Sequence, residues 1–211
     1  MSSSRRTKHR TQLDTASSRG SAPRILDAAL ALITRRGDAN VTMAQIAKAA
    51  RVSRQAVYLN FADRATLMLA LARHLDETLG LPADIQQIRD APDAARMVEA
   101  QVSLQARRNP ALWAVARAVD AVRRTDADAE RAWQDRLDHR LRGCLGIVSR
   151  LQAEGRLRPD LDSSTAADLL WTITSLRMWE DLVLQRGWSP QKYQRHVTKL
   201  LLETLTGRSS S

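Results

Sequence analysis

The 211-residue sequence is poor in cysteine, glycine and aromatic residues, and each scarcity excludes a class of protein. The single cysteine, Cys144, excludes an internal disulfide framework and is typical of a reducing cytoplasm. The sequence has no Gly-rich phosphate loop, no HExxH or GxSxG motif and no Cys/His spacing for a metal. No apolar run reaches the ~18 residues that a membrane span needs. We therefore expect a soluble protein without catalytic machinery, cofactor or metal.

The positive charge of the chain is concentrated in its first third. Of 33 basic and 23 acidic residues, thirteen basic and four acidic ones fall in residues 1–75, and the remainder is nearly neutral. Residues 1–22 are rich in Ser and Arg, and we predict that they form a disordered basic arm. When the arm is left out, residues 23–75 still contain more basic than acidic side chains. The asymmetry indicates a polyanionic partner for this third of the chain, and a solubilising tail is the alternative explanation for the arm.

From residue 23 onward the apolar periodicity predicts helices and no strand, so we expect an all-α fold of about nine helices. Pro23, Thr42, Ser53 and Asp63 each suit the start of a helix. Pro82 and Pro92 predict a loose linker over residues 81–92. Asn109-Pro110 predicts the end of one helix and the start of the next. Three longer helices are expected over about 128–154, 163–186 and 190–206.

The helices that begin near Thr42 and Ser53 are short and are separated by a tight turn. This pattern predicts a helix-turn-helix, whose second helix enters the major groove of DNA. Val57 and Phe61 are expected to pack inward and leave a polar face outside. Arginine pairs with guanine, glutamine or asparagine pairs with adenine, and Ala56 or Leu59 can meet a thymine methyl group. We predict DNA contacts at Thr42, Lys48, Arg54, Gln55, Ala56, Tyr58, Asn60 and Arg64.

Residues 23–71 contain RILDAALALITRRG and VTMAQIAKAARVSRQAVYLNFADRATL, and in these motifs the chain resembles the TetR-type transcriptional regulators. A weaker resemblance continues in AADLLWTITSLRMWEDLVLQRGWSPQKY. The resemblance implies a three-helix DNA-binding domain, a helical ligand-binding body and a homodimeric bundle formed by the last two helices. It also adds Ser53 to the predicted DNA contacts, and we include Arg51 in the turn before it. The expected divisions are the arm at 1–22, a helix-turn-helix domain at 23–75, and a ligand-binding and dimerisation domain at 76–208.

Two positions depart from the family pattern. The turn residue that is usually glycine is Arg51, and a left-handed backbone there costs roughly 1–2 kcal/mol. Three explanations remain open: strain tolerated for a phosphate contact, a slightly different turn, and an arginine in solvent. Asn60 replaces the aromatic residue or histidine that usually precedes the phenylalanine, which leaves its contact with DNA less specified.

The body has fewer signals for a site. We predict that Trp113 and Trp133 line an effector pocket, with polar contacts from Gln101, Gln105 and His139, although each of these three can equally be exposed. The tryptophans Trp171 and Trp179 fit either a dimer interface or the nearby core. The predicted interface comprises Leu169, Trp171, Trp179, Tyr193, Val197 and Leu201.

Together, these expectations describe a cytoplasmic homodimer that binds a pseudo-palindromic operator on double-stranded DNA. A small, largely apolar effector is expected to release it, which makes the protein a ligand-responsive repressor. Three alternatives stay open: a helical interaction protein whose basic head meets RNA, an acidic protein or a membrane surface; a regulator without an effector; and an enzyme with its site in the body.

Overall fold

The computed structural model describes residues 20–36 and 41–207. The predicted basic arm lies outside these ranges except for residues 20–22. Within them the chain is helical and has no strand, which confirms the all-α fold. The described helices are α1 Ala22–Arg36, α2 Met43–Ala50, α3 Arg54–Asn60, α4 Arg64–Thr78, α5 Leu81–Arg89, α6 Ala94–Arg123, α7 Ala127–Ala153, α8 Ser163–Ile173, α9 Leu176–Trp179, the π-helical segment Glu180–Gln185, and α10 Pro190–Thr206.

The chain divides into two compact units. The first unit comprises the residues up to Asp76 together with Ala114–Ala132. The second unit comprises Glu77–Trp113 and the residues from Trp133 onward. The long helices α6 and α7 therefore contribute segments to both units.

The first unit packs α1, α2, α3 and α4 around a shared apolar core. The apolar stripe of α1, at spacings of three and four residues, is buried, and α1 contacts both α2 and α3. Val57 is fully buried and Phe61 is 5% exposed, as their spacing on α3 predicts. The same core contains Leu67, Met68 and Leu71 of α4, each fully buried. These contacts fix α3 by its inner face.

Two polar contacts connect elements of the first unit. The Arg24 guanidinium of α1 donates to the carbonyl oxygen of Ala50, the last residue of α2, at 3.0 Å. A cation at that end stabilises the helix because the terminal carbonyl groups carry partial negative charge. His74 of α4 lies 2.7 Å from the Asp27 carboxylate of α1. Helix α1 is thereby tied to its neighbours by polar as well as apolar contacts.

The core of the second unit is built from α5, α6, α7, α8 and α10. Its fully buried side chains include Val98 and Val102 of α6, Leu151 of α7 and Leu170 of α8. Asp162 caps α8 by accepting the backbone N–H of Thr165 at 2.9 Å. Ser189 caps α10 by accepting the N–H of Lys192 at 3.1 Å. The start predicted for the last helix is therefore confirmed.

Three expectations about helix ends are wrong. Residues 81–92 are not a loose linker throughout, because Pro82 lies in the first turn of α5, where a proline is tolerated. Asn109-Pro110 does not separate two helices, since α6 continues through Pro110. The helix predicted over 163–186 is interrupted, because Ser175 accepts the N–H of Met178 at 3.1 Å and starts a new helix.

None of the described helices combines the length and the apolar character that a membrane crossing requires. The described residues also contain no group of three or more His, Cys, Asp or Glu side chains arranged to hold a metal ion.

Candidate nucleic-acid interface

The start of α2 is fixed by a reciprocal cap. The Thr42 hydroxyl accepts the backbone N–H of Gln45 at 3.2 Å, and the Gln45 side chain accepts the N–H of Thr42 at 3.0 Å. This capping box is the one that Thr42 and Gln45 predict by their spacing. The remaining N–H groups of the first turn and the helix dipole make this end of α2 favourable for an anion.

The turn between α2 and α3 contains the one described non-glycine residue with positive φ. Arg51 ends α2 with φ 55° and ψ 45°, in the left-handed region, and its N–H returns to the carbonyl groups of Ala47 and Lys48. The adjacent N–H of Val52 donates to the Ala47 carbonyl at 3.1 Å. The backbone at Arg51 is therefore left-handed rather than a different turn, and its side chain is exposed.

Helix α3 begins at a Ser53 cap, whose hydroxyl accepts the N–H of Ala56 at 3.0 Å. Arg54 and Gln55 are exposed in its first turn, and Ala56 is half-buried. Leu59 is 60% exposed, which is unusual for a large apolar side chain on a helix with so small an outer surface. The outer face of α3 thus offers a guanidinium, an amide and an apolar group, which are the three chemistries that read base edges.

A cleft of about 360 Å³ lies beside this face. It joins the start of α2 to the outer side of α3 and the first residue of α4, and its lining residues are Val41, Thr42, Met43, Ala44, Arg54, Tyr58 and Arg64. The Arg54 guanidinium lies 5.8 Å from the centre of the Tyr58 ring. Two arginines, two hydroxyl groups and a helix start converge here, and these are groups that contact phosphates in protein–DNA complexes.

The cleft brings together four of the ten predicted DNA contacts, and the others lie around it. Ser53, Gln55 and Ala56 share α3 with Arg54 and Tyr58. Lys48 is exposed in the last turn of α2. Sequence reasoning missed three of the lining residues, Val41, Met43 and Ala44. They contribute to the cleft because they lie at a helix start, and their side-chain chemistry does not indicate a site.

Asn60 corrects one expectation. Its amide nitrogen donates to the Ser21 hydroxyl at 3.0 Å and to the Ala56 carbonyl at 2.8 Å. Both protons of the amide are therefore used inside the unit, so Asn60 holds the end of α3 against the residues before α1 and cannot donate to a base. The pairing depends on Ser21, which is distant in sequence, and no local pattern indicates it.

Asp63 fixes the start of α4, where Arg64 lines the cleft. Its carboxylate accepts the backbone N–H of Thr66 at 2.7 Å, and this hydrogen bond lowers the pKa of Asp63. The predicted cap is confirmed. It positions Arg64 at the first residue of α4, beside Thr42 and Tyr58.

Comparison with known families agrees with this geometry. Residues 25–71 match the family model described as bacterial regulatory proteins, tetR family. The match covers α1, α2, α3 and most of α4. The helix-turn-helix part of the chain is thus similar to that of the TetR family. The TetR-type resemblance predicted from the sequence is thereby confirmed.

Solved structures of other proteins share the fold over most of the chain. A transcriptional regulator from Saccharomonospora viridis, in complex with choline, has a TM-score of 0.75 at 22% identity, covering 89% of this chain and 98% of that one. FadR from Bacillus subtilis, in complex with stearoyl-CoA, has a TM-score of 0.68 at 19% identity, covering 86% and 98%. NalD, the secondary repressor of a multidrug efflux pump in Pseudomonas aeruginosa, has a TM-score of 0.64 at 21% identity, covering 90% and 98%. A search of curated proteins found no match.

The predicted effector residues lie along α6 and α7 of the second unit. Gln101 and Gln105 are one turn apart on α6 and are half-buried, as are Trp113 and Trp133. His139 is exposed on α7. The three polar side chains therefore have different surroundings, and His139 does not lie in the interior of the unit as a pocket contact would.

Four of the six predicted interface residues belong to the core of a single chain. Trp179 is 2% exposed, and Tyr193, Val197 and Leu201 are at most 1% exposed. Side chains already enclosed by their own chain have no area to offer a partner, so these four assignments are wrong. Leu169 and Trp171 are half-buried on α8 and keep some surface.

Proposed function

We propose that the protein is a homodimeric, ligand-responsive repressor that reads a pseudo-palindromic operator through α3. The observation that carries the proposal is the outer face of α3, where Arg54, Gln55 and Leu59 are exposed beside the phosphate-binding cleft. The hydroxyl groups of Thr42 and Ser53 are paired within their own helix starts, so these caps fix the two helix starts beside this face. The proposal places the protein in the cytoplasm and assigns it no enzymatic activity.

Base reading and phosphate binding are assigned to different residues. Arg54 and Gln55 lie on the face that enters the groove, whereas Thr42 and Arg64 lie at helix starts, where backbone N–H groups also favour an anion. Arg54 lines the cleft as well, and its guanidinium can bridge a phosphate and a base edge. Leu59 supplies the apolar contact for a thymine methyl group.

A binding titration tests this assignment with two kinds of duplex DNA. One duplex is selected for tight binding to the protein, and the other has a random sequence. The selected duplex is expected to bind about 10³-fold or more tightly than random duplex at physiological salt. Gln55→Ala should relax the preference at one base pair, at a cost of about 1–3 kcal/mol. Arg64→Ala should weaken binding to every sequence and lower the salt slope by about one.

Arg142→Ala provides the control for these variants, because Arg142 is exposed on α7 in the second unit. It removes one positive charge without touching the candidate interface. Equal effects of Gln55→Ala and Arg64→Ala on all sequences would contradict the assignment of base contacts to Gln55 and of phosphate contacts to Arg64. Equal affinity of the wild type for selected and random duplex would instead favour a basic interaction protein.

Dimerisation is proposed through the outer surfaces of α8, the π-helical segment and α10. Support comes from apolar side chains that the chain itself leaves open: Leu184 is 45% exposed and Leu200 is 41% exposed. Sedimentation analysis is expected to give a dimer for the wild type and a monomer for a Leu184→Glu, Leu200→Glu double variant. A monomeric wild type would overturn this part of the proposal.

Control by an effector is proposed because structures with the same fold were solved with choline and with stearoyl-CoA. A ligand that binds the body better in a conformation unsuited to DNA weakens operator binding, and DNA weakens ligand binding by the same factor. The coupling is typically about 1–3 kcal/mol. An effector that binds the second unit tightly and leaves operator affinity unchanged would contradict it.

A further inference from the structure

We propose that the second unit contains a binding site for the carboxylate of a small, largely apolar acid, centred on the Arg140 guanidinium between Trp171 and Tyr193. This inference rests on the proposed effector-responsive function and specifies the chemical class of the effector. It shifts the predicted polar contacts of the effector from Gln101, Gln105 and His139 to residues of α7, α8 and α10.

The first observation is a half-buried arginine without an acidic partner. The Arg140 guanidinium carbon lies 4.5 Å from the centre of the Trp171 ring, and Nη2 donates to the carbonyl oxygen of Trp171. The Nε atom is buried and has no hydrogen-bond partner among the described residues. No described carboxylate lies within ion-pair distance of this guanidinium. Burial lowers the pKa of Arg140, which reflects the cost of enclosing its charge.

The second observation is a group of buried donors around that charge. The Tyr193 hydroxyl and the Trp171 indole N–H have no hydrogen-bond partner within the described part of the chain. Burial raises the pKa of Tyr193 to about 12, and the positive charge of Arg140 opposes this rise, as it does for Cys144. Buried polar atoms are almost always paired, so several unpaired donors near one guanidinium indicate a missing acceptor.

The third observation is the irregular backbone beside this group. Trp171 lies in the last turn of α8, which ends at Ile173, and α9 and the π-helical segment follow directly. The Thr174 hydroxyl donates to the Leu170 carbonyl at 2.7 Å, so this break is held by side chains. Irregular helical segments of this kind are frequent at functional sites. Arg140 donates to the backbone where the regular helix ends.

A carboxylate suits these donors better than other ligand groups. Arginine binds a carboxylate through two parallel N–H donors, and the unused Nε–H of Arg140 provides one of them. A bound anion would also neutralise a partly buried charge, whereas a cation would be repelled. Cys144, Leu170 and Val197 belong to the same apolar core as Trp171 and Tyr193 and are at most 1% exposed, so the rest of the ligand would meet apolar groups. The site therefore fits an acid with an apolar body.

A structural role for Arg140 is the competing explanation. The Trp171 carbonyl belongs to the C-terminal turn of α8, and a cation at that position stabilises a helix end. The two explanations make opposite predictions for Arg140→Met, which keeps the length of the side chain and removes its charge. Loss of a helix cap lowers the melting temperature. Loss of an unpaired buried charge leaves the melting temperature unchanged or raises it.

The experiment measures melting temperature and tryptophan fluorescence of the full chain with octanoate, benzoate and the matched amides. The wild type is expected to bind at least one acid about tenfold or more tightly than its amide, because charged hydrogen bonds are stronger than neutral ones. Arg140→Met should lose that difference and melt no lower than the wild type. Arg142→Met, altered at an exposed position of the same helix, should behave as the wild type.

Arg140→Lys keeps the positive charge but removes the two parallel N–H donors of the guanidinium. This variant should bind the acids more weakly than the wild type and still prefer them to the amides. Arg140→Lys also tests the proposed site if Arg140→Met fails to fold. The inference is overturned if neither acid binds more tightly than its amide, or if Arg140→Met retains the preference. Operator binding is measured in parallel. If the protein binds its operator but not the acids, only this inference is overturned. If it binds an acid but no operator, only the proposed DNA-binding function is overturned.

Discussion

The chain has two tyrosines, and the two units place them in opposite surroundings. Tyr58 in the first unit is 43% exposed on α3, with the Arg54 guanidinium 5.8 Å from the centre of its ring. Tyr193 in the second unit is fully buried on α10, and its hydroxyl has no hydrogen-bond partner among the described residues. The same group is presented outward in one unit and enclosed in the other.

This difference extends beyond the tyrosines. In the first unit the polar groups at helix starts are paired within their own turns, as at Thr42, Ser53 and Asp63. In the second unit several polar atoms are buried and unpaired, including both amide atoms of Asn109. Buried unpaired groups cost stability, whereas exposed polar groups do not. The two units therefore differ in where their polar groups lie: at exposed helix starts in the first unit, and unpaired in the interior in the second.

The largest expected effect concerns the inner face of α3. Phe61→Ala should lower the free energy of unfolding by about 3–5 kcal/mol, because Phe61 is 5% exposed and its removal leaves a cavity. Leu59→Ala, at a position that is 60% exposed, should change it by less than about 0.5 kcal/mol and weaken only DNA binding. Urea unfolding and DNA titration of both variants test this. Equal stability losses would mean that α3 is not held by its inner face.

The second expected effect is a dependence on alkaline pH. Burial raises the pKa of the Cys144 thiol from 9.0 to about 11. The unfolded chain then loses this proton first, so the stabilisation is complete below pH 9 and is lost as pH rises through about 11. The total change is about 2–3 kcal/mol. Cys144→Ala should lack this part of the decline in urea unfolding measured between pH 8 and pH 11, and parallel curves for the two proteins would contradict the prediction.

The third expected effect compares the two hydroxyl groups directly. Tyr193→Phe removes a buried unpaired hydroxyl and keeps the ring, so it should raise the free energy of unfolding by about 1 kcal/mol. Tyr58→Phe should leave stability unchanged and weaken DNA binding, because Tyr58 lines the cleft. Thermal unfolding and DNA titration separate the two. A loss of stability in Tyr193→Phe would show that its hydroxyl has a partner.

The smallest expected effect concerns the strained turn. Arg51→Gly should stabilise the first unit by about 0.5–1 kcal/mol, since relief of the left-handed backbone exceeds the added freedom of glycine in the unfolded chain. Arg51→Ala removes the side chain without relieving the backbone, so it provides the control. Both variants should lower the salt slope of DNA binding by about one if the side chain contacts a phosphate. Equal stability of the two variants would argue against strain at this residue.

Sequence reasoning succeeded where the signal is local. Thr42 with Gln45, Ser53 and Asp63 are caps whose partners lie three residues away. The spacing of Val57 and Phe61 likewise identified the inner face of α3. These local features are sufficient to predict the helix-turn-helix and most of its candidate interface.

Sequence reasoning failed where distant parts of the chain decide the outcome. Pro110 costs a hydrogen bond inside α6, yet the buried residues on both sides of it keep the helix continuous. The break after α8 lies within an apolar run whose periodicity does not change. The environment of Arg140 depends on residues from α8 and α10, so its lack of an acidic partner cannot be read from the sequence of α7.

The length of α3 limits how much sequence one protomer can distinguish. Seven residues at 1.5 Å each give a rod of about 10 Å, which equals the length of about three base pairs. If α3 reads DNA as proposed, two copies read about six base pairs, a combination that random DNA presents roughly once in 4,000 positions. A dimer with so short a reading element would then gain the rest of its selectivity from the separation of its half-sites and from the stiffness and groove width of the DNA between them.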